Sequence, residues 1–189
     1  MKIGVSAIQG SFERHLAMLK QTGIQAVEVR RSIHLSTIQG LIFPGGETTT
    51  YLHLMEHYGW FDEIRRFYQD GGALFGTCAG AILLGKSENK DDKRFGFIDA
   101  YVKRNAYGRQ VDSFMTPVRI SGMQDPFEAI FIRAPIIDKV GKAVTVLAKE
   151  KENPILVRSG RVLLSTFHPE LTQDDRVHRY FSEKVVAAG

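Results

Sequence analysis

The sequence predicts an α/β fold with a mostly parallel central sheet, flanked by helices, and a mixed or antiparallel extension. Three observations predict it. Strand-like and helix-like patterns alternate from the start to residue 84, as in a parallel sheet covered on both faces. Between residues 97 and 165, strand-like runs follow one another with only turns between them. A last helical pattern occupies about 174–187.

The elements follow in order. KIGVSAIQ (2–9) reads as a buried strand. SFERHLAMLKQTG places Phe12, Leu16 and Leu19 at helical spacing, with Gly23 as a stop signal. QAVEVR (25–30) is a strand, and LIF (41–43) is a short apolar run ending at Pro44-Gly45-Gly46. A helical stretch rich in Leu, Met, Tyr and Phe continues to about Tyr68. ALFG (73–76) is a further strand, and 78–84 is helical. The extension comprises IDAYVKR, FMTPVRI, EAIFIRA, AVTVLAK, PILVRS and RVLLSTF. No repeat, low-complexity tract or linker divides the chain, so residues 1–189 are expected to form a single domain.

Of the 189 residues, 43% are hydrophobic and 24% charged, the balance of a globular protein with a sizeable core. No apolar run approaches the ~20 residues that span a bilayer. MKIGVSAIQG lacks the long apolar region and cleavage site of a signal peptide. One cysteine forms no internal disulfide, so a reducing, cytoplasmic setting is expected. The net charge of +4 comes from scattered pairs such as Arg30-Arg31, Arg65-Arg66, Lys93-Arg94 and Lys103-Arg104. Acidic residues lie between them and no basic stripe forms, so neither nucleic acid nor membrane is an expected partner.

The lone cysteine lies in FGTCAGAIL (75–83). GTCAG is a G-x-C-x-G variant of the nucleophile elbow, the sharp strand-to-helix turn whose strained centre tolerates only small neighbours. Gly76, Ala79 and Gly80 meet that requirement. There Cys78 would stand at a helix N-terminus, which favours thiolate, and the Ala79 N–H would face a developing oxyanion. The competing reading is a buried cysteine acting as a small hydrophobe. STFHPEL (165–171) weighs against it: with Pro169 extended between them, Glu170 would lie beside His168 and orient its imidazole, completing a nucleophile–base–orienter set. In LIFPGGETTT (41–50), two glycines let backbone N–H groups approach a ligand, and Gly46 is a candidate second oxyanion donor. That loop lacks the Lys-Ser/Thr of a phosphate-binding P-loop. HLMEH (53–57) matches a zinc-peptidase spacing, but no third ligand is evident, so no metal or other cofactor is expected.

Together, the PGG loop, the G-x-C-x-G elbow and the late H-P-E resemble the class I, triad-type glutamine amidotransferases, whose fold is a flavodoxin-like three-layer sandwich. Within that family, VKRNAYGRQVDSF, FIRAP and STFHPELTQDDRVHRYF resemble the glutaminase subunits of pyridoxal 5′-phosphate synthase. The resemblance implies that Cys78 attacks the carboxamide of L-glutamine, that Gly46 and Ala79 hold the oxyanion, and that His168, oriented by Glu170, moves the protons. It also implies glutamine contacts at Gly46, Glu47, Thr48, Arg104, Ile132 and Arg133. Gln9 and Gly10 would lie in the region that docks a synthase subunit, to which ammonia passes through a channel. Thr48 stands where the family usually has Ser, and Ser6 where it usually has an aliphatic residue. The charge order at Glu13-Arg14 also differs from the common one. The alternatives are the glutaminase of another synthase, a cysteine peptidase or chaperone-like relative, or a non-catalytic regulatory module.

Overall fold

A computed structural model describes residues 1–89, 91–104 and 113–187. Most of the RNAYGRQVDSF stretch, residues 105–112, lies outside the described residues. The first half carries β1 (Lys2–Ser6), α1 (Phe12–Gln21), β2 (Gln25–Val29), β3 (Gly40–Phe43), α2 (Thr48–His57), α3 (Trp60–Gln69), β4 (Ala73–Thr77) and α4 (Ala79–Leu84). The second half carries β5 (Ala100–Lys103), β6 (Ser113–Val118), β7 (Phe127–Ile132), β8 (Ile136–Val140), β9 (Thr145–Glu150), β10 (Asn153–Ser159), β11 (Val162–Ser165) and α5 (Arg176–Tyr180). A π-helical turn, Phe181–Val186, prolongs α5.

Seven strands form the main sheet in the order β2-β1-β3-β4-β11-β10-β9. The pairings from β2 through β11 are parallel, while β10 pairs antiparallel with both β11 and β9. β3, β4 and β11 are buried along their whole length, as expected of parallel strands covered on both faces. Their side chains alternate between two cores. Leu41, Phe43, Leu74 and Leu164 pack with Tyr51, Met55, Ile64 and Phe67 of α2 and α3. Ile42, Phe75 and Leu163 pack with Leu19 of α1 and with Val177 and Phe181 at the C-terminal helix. The chain is thus a helix–sheet–helix sandwich, as the sequence predicts.

Three local expectations need correction. The helical stretch after the PGG loop is two helices, because Gly59 adopts φ 66°, left-handed geometry that ends α2 and starts α3. Only the last three strand-like runs join the main sheet, and β11 enters it parallel to β4. The others form two-stranded ribbons, β6–β7 and β5–β8. β8 was not predicted, because IIDKV buries only Ile137 fully and so gives little apolar alternation.

The parallel strands β1, β3, β4 and β11 all end at one edge of the sheet. Their following loops, residues 7–11, 44–47, 78 and 166–171, therefore converge there, where open α/β sheets bind ligands.

Candidate active site

Cys78 joins β4 to α4 with φ 50° and ψ −105°, a strained backbone that costs of order 1–3 kcal/mol. Its N–H donates to the Ser165 carbonyl at 2.9 Å, which ties the turn to β11. Helix α4 presses so closely on β3 that a Cβ on Gly80 would lie 2.1 Å from the Phe43 carbonyl oxygen. The small residues around the thiol are therefore required by packing, as the elbow pattern predicts. The Cys78 side chain is 8% exposed, and its Sγ lies 3.9 Å from the Ile132 carbonyl oxygen.

His168 follows β11, and its N–H donates to the Ile130 carbonyl at 2.8 Å. Its Nδ1 donates to Glu170 Oε1 at 2.8 Å, and its imidazole lies beside Cys78 at the wall of the same cavity. The pairing of His168 with Glu170 does not come from extended chain. Pro169–Leu171 forms a 3₁₀ turn with His168 at its N-cap, and this turn carries the carboxylate back beneath the imidazole. Gly45 closes the other side. A Cβ there would lie 2.4 Å from His168 Cε1 and 3.4 Å from Cys78 Cβ, so only glycine leaves the two side chains in register.

The electrostatics suit an ion pair. Burial works against a charged His168, but the hydrogen bonds and charges of Cys78 and Glu170 prevail and raise its pKa well above the ordinary value. Burial also works against the Glu170 carboxylate, whose side chain is fully buried. His15 and His168 outweigh that burial and lower its pKa to about 2. His15 is itself held below the ordinary histidine value by burial, so it is neutral near pH 7. The full charge comes from His168.

A cavity of about 530 Å³ opens over the thiol. Gly46, Glu47, Thr48, Cys78, Ala79, Arg104, Ile132, Arg133 and His168 all line it, together with Gly10. Glu47 caps α2, accepting from the Thr49 and Thr50 N–H groups at 3.1 and 2.7 Å. Those bonds, led by Thr50, hold its carboxyl down at about 2. Arg104 Nη2 reaches over the same loop, 3.5 Å from Glu47 Oε1 and 3.4 Å from Thr49 Oγ1. Thr48 is buried in the wall, and Arg133 holds a positive φ of 41°.

Gln9 clamps the loop from outside. Its Nε2 donates to the Glu47 carbonyl at 3.0 Å, and its Oε1 accepts from the Glu47 N–H at 3.2 Å. Gly10 lies against the Gly45 carbonyl.

The structure therefore brings together every site residue the sequence singles out. Those it missed are Gly45, Ser11, whose Oγ donates to Glu170 Oε1 at 3.1 Å, and the buried His15 and His178. The PGG motif shows Gly45 as part of a loop but not as a spacer for His168. His15 falls at helical spacing on the apolar face of α1, a weak signal of a buried polar contact.

HLMEH behaves as surface. His53, Glu56 and His57 are exposed on α2, and Glu56 pairs with Lys93. Among the described residues, no group of three or more His, Cys, Asp or Glu side chains is placed to hold a metal ion. Nor is any helix among them long and apolar enough to cross a membrane.

Residues 5–187 match the SNO glutamine amidotransferase family. A relative from Thermus thermophilus, named pyridoxal 5′-phosphate synthase subunit PdxT, is 49% identical over 184 residues, covering 96% of each chain. One of the same name from Kosmotoga olearia is 46% identical, covering 98% of each. A crystal structure of a glutamine amidotransferase superposes with a TM-score of 0.90 at 48% identity, covering 96% of this chain and 97% of that one. A chain in the structure of PurLQS from Thermotoga maritima shares the fold, with a TM-score of 0.71 at 16% identity, covering 96% of this chain and 97% of that one. With the elbow cysteine, the His-Pro-Glu turn and the PGG loop gathered at one cavity, and with a match that runs almost end to end, the chain belongs to the SNO glutamine amidotransferase family.

Proposed function

We propose that this chain is the glutaminase subunit of a pyridoxal 5′-phosphate synthase, with residues 1–189 acting as one domain in the cytoplasm. The observation that carries the reading is the convergence of Cys78, His168 and Glu170 beneath a cavity walled by the PGG loop and Arg104. The names borne by the relatives point to the synthase.

The Cys78 thiolate attacks the side-chain carboxamide carbon of L-glutamine. The carbonyl π electrons move to oxygen, where the Gly46 and Ala79 N–H groups receive the charge. As the tetrahedral intermediate collapses, the C–N bond breaks and His168 gives its proton to the leaving nitrogen, releasing ammonia and leaving a glutamyl thioester. Water then gives a proton to His168 and attacks the thioester carbon. Glutamate departs and the thiolate is restored. Glu170 holds the imidazole and stabilises its cationic form. Arg104, with Glu47 and Thr48, faces the charged end of glutamine, and Ile132 and Arg133 close the wall opposite. Ammonia passes to the synthase subunit through a channel, and Gln9 and Gly10 lie in the docking region. Gln9 gives docking a direct route to the loop that carries Gly46, because it is bonded to Glu47 in both directions.

Two expected results follow from the geometry. Gly45→Ala places a methyl where His168 Cε1 stands, so the ring must shift. A displacement of about 1 Å at the reacting groups costs roughly 10²-fold in kcat, read by steady-state glutamate release. Arg104→Ala removes the guanidinium near the substrate carboxylate. It should raise KM for glutamine by about tenfold or more, with kcat changed only a few-fold.

The function itself is tested by glutamate release with and without the synthase subunit. Release that rises with the partner, together with pyridoxal 5′-phosphate formed from ribose 5-phosphate and glyceraldehyde 3-phosphate, supports it. Folded protein that releases no glutamate in either condition would leave a non-catalytic module. Release without coupling to this synthase would point to another one.

A further inference from the structure

Behind Glu170, away from the cavity, the core holds two histidines that the reaction does not use. His15 on α1 and His178 on α5 are both fully buried. His15 Nε2 lies 3.4 Å from Glu170 Oε2 and 3.3 Å from Thr77 Oγ1. His15 Nδ1 lies 2.8 Å from His178 Nε2. Buried His178 Nδ1 has no hydrogen-bond partner. Phe75 packs edge-on against both rings, at centroid distances of 6.4 and 6.1 Å. The ionisable groups facing the pair are thus Glu170 and His168 on the 3₁₀ turn, while β4 offers only Thr77 and Phe75.

Two neutral imidazoles in contact share one proton, so two arrangements are open to them. If His15 Nδ1–H donates, the bare Nε2 can accept from the Thr77 hydroxyl but still faces the Glu170 carboxylate, and the His178 Nδ1–H is buried without an acceptor. Both are buried faults of the kind that native proteins avoid. If His178 Nε2–H donates instead, His15 Nε2–H points toward Glu170 Oε2 and Thr77. Glu170 Oε2, which has no hydrogen-bond partner of its own, then faces an N–H at 3.4 Å, and the atom left without any polar neighbour is an acceptor, His178 Nδ1. Burial holds both imidazoles below the ordinary histidine value, so the pair stays neutral. The second arrangement is the one the geometry favours.

We propose that His178 and His15 are positioning residues of this site, forming a one-way donor chain. In it His178 Nε2–H fixes His15 as the Nε2–H tautomer, and His15 holds the second oxygen of Glu170 so that the first faces His168. Ser11, donating to Oε1 from the N-cap of the same helix, braces the carboxylate from the docking side. Helix α1 thereby holds the acid of the site at both oxygens.

The kinetic part of this inference rests on the glutaminase reading, whereas its other readouts do not. The test compares His15→Leu, His15→Gln and His178→Leu with wild type, using three measurements. These are kcat and KM for glutamine in the complex with the synthase subunit, the pH profile of Cys78 alkylation by iodoacetamide on the isolated chain, and ¹⁵N NMR of the wild-type imidazoles. Partners that orient a functional group from behind typically matter by 10–100-fold. His15→Leu should lower kcat by about that factor, leave KM within a few-fold, and change the pH profile of alkylation, because a loosened Glu170 supports the His168 imidazolium less well. His15→Gln, whose carboxamide restores a donor near the Nε2 position, should recover most of the loss. His178→Leu should move both readouts the same way by less, and the NMR should show His15 protonated at Nε2 and bare at Nδ1. A His15→Leu variant with wild-type kcat and alkylation profile overturns the proposal, as does a His15→Gln variant as impaired as Leu. A His15 Nδ1–H tautomer also overturns it. Should His15→Leu fail to fold, the Gln variant and the tautomer decide. If wild type releases no glutamate, the reading of function fails, while the alkylation profile and the tautomer still judge the chain.

Discussion

Cys78→Ala abolishes glutamate release, lowering kcat by at least about 10⁴-fold in the complex with the synthase subunit. No other group in the cavity replaces the thiolate. It is the only cysteine nucleophile in the chain, and it alone stands at the elbow beside His168. What remains, the proposed oxyanion donors Gly46 and Ala79 and a base without a nucleophile, supports only weak attack by water. The same substitution should leave the fold intact, since the thiol makes one long contact, to the Ile132 carbonyl at 3.9 Å. Alanine keeps a Cβ and therefore keeps the strain of φ 50° at this position. Cys78→Gly relieves it and should unfold at a higher temperature than Cys78→Ala, by about 1 kcal/mol of stability. Scanning calorimetry of the two variants separates the chemical demand for sulfur from the conformational demand at the turn.

Glu170→Gln produces the second large effect. The substitution keeps the shape of the side chain but removes the charge that stabilises imidazolium. It also presents an amide that can offer an N–H, rather than an acceptor, to His168 Nδ1. A loss of about 10³–10⁴-fold in kcat is expected, as for other triads deprived of their acid.

The same variant carries a stability signature. The pKa of Glu170 is lowered in the folded state from 4.5 to about 2. A depressed carboxylate contributes stability that is present above the unfolded value and is lost as pH falls through the folded value. Wild type should therefore lose a few kcal/mol between pH 5 and about pH 2 that Glu170→Gln does not lose. Urea unfolding of both proteins across that window checks this, because every other carboxylate titrates in both. Equal acid sensitivity of the two would mean that Glu170 is not the buried, ion-paired group described.

The parts of the site that were legible in the sequence are those whose chemistry is local. The elbow, the PGG loop and the His-Pro-Glu turn each compress a constraint into a few adjacent residues. The strained Cys78 needs small neighbours within two positions, and Gly80 shows why, with its α-carbon pressed on the Phe43 carbonyl. The central parallel strands were legible too, because burial on both faces leaves continuous apolar runs. Where the partners are distant or the pattern diluted, the signal failed. His15 and His178 meet across 163 residues, and each sits on a helical face where one buried histidine is indistinguishable from packing. The need for glycine at 45 depends on where His168 arrives from another strand. The His168–Glu170 pair was found for the wrong conformational reason, since i and i+2 meet here through a 3₁₀ turn and not through extended chain. β8 hid behind Asp138 and Lys139, which face solvent on a half-buried ribbon and pair with Lys103 and Glu88.

The most direct test of covalent catalysis at this site is to quench the complex in acid during turnover of L-glutamine and map the modified peptide by mass spectrometry. The account predicts a glutamyl group on the peptide containing Cys78, discharged by hydroxylamine and absent from Cys78→Ala. Steady glutamate release with no glutamyl adduct on that peptide, or with one on a different residue, would contradict it.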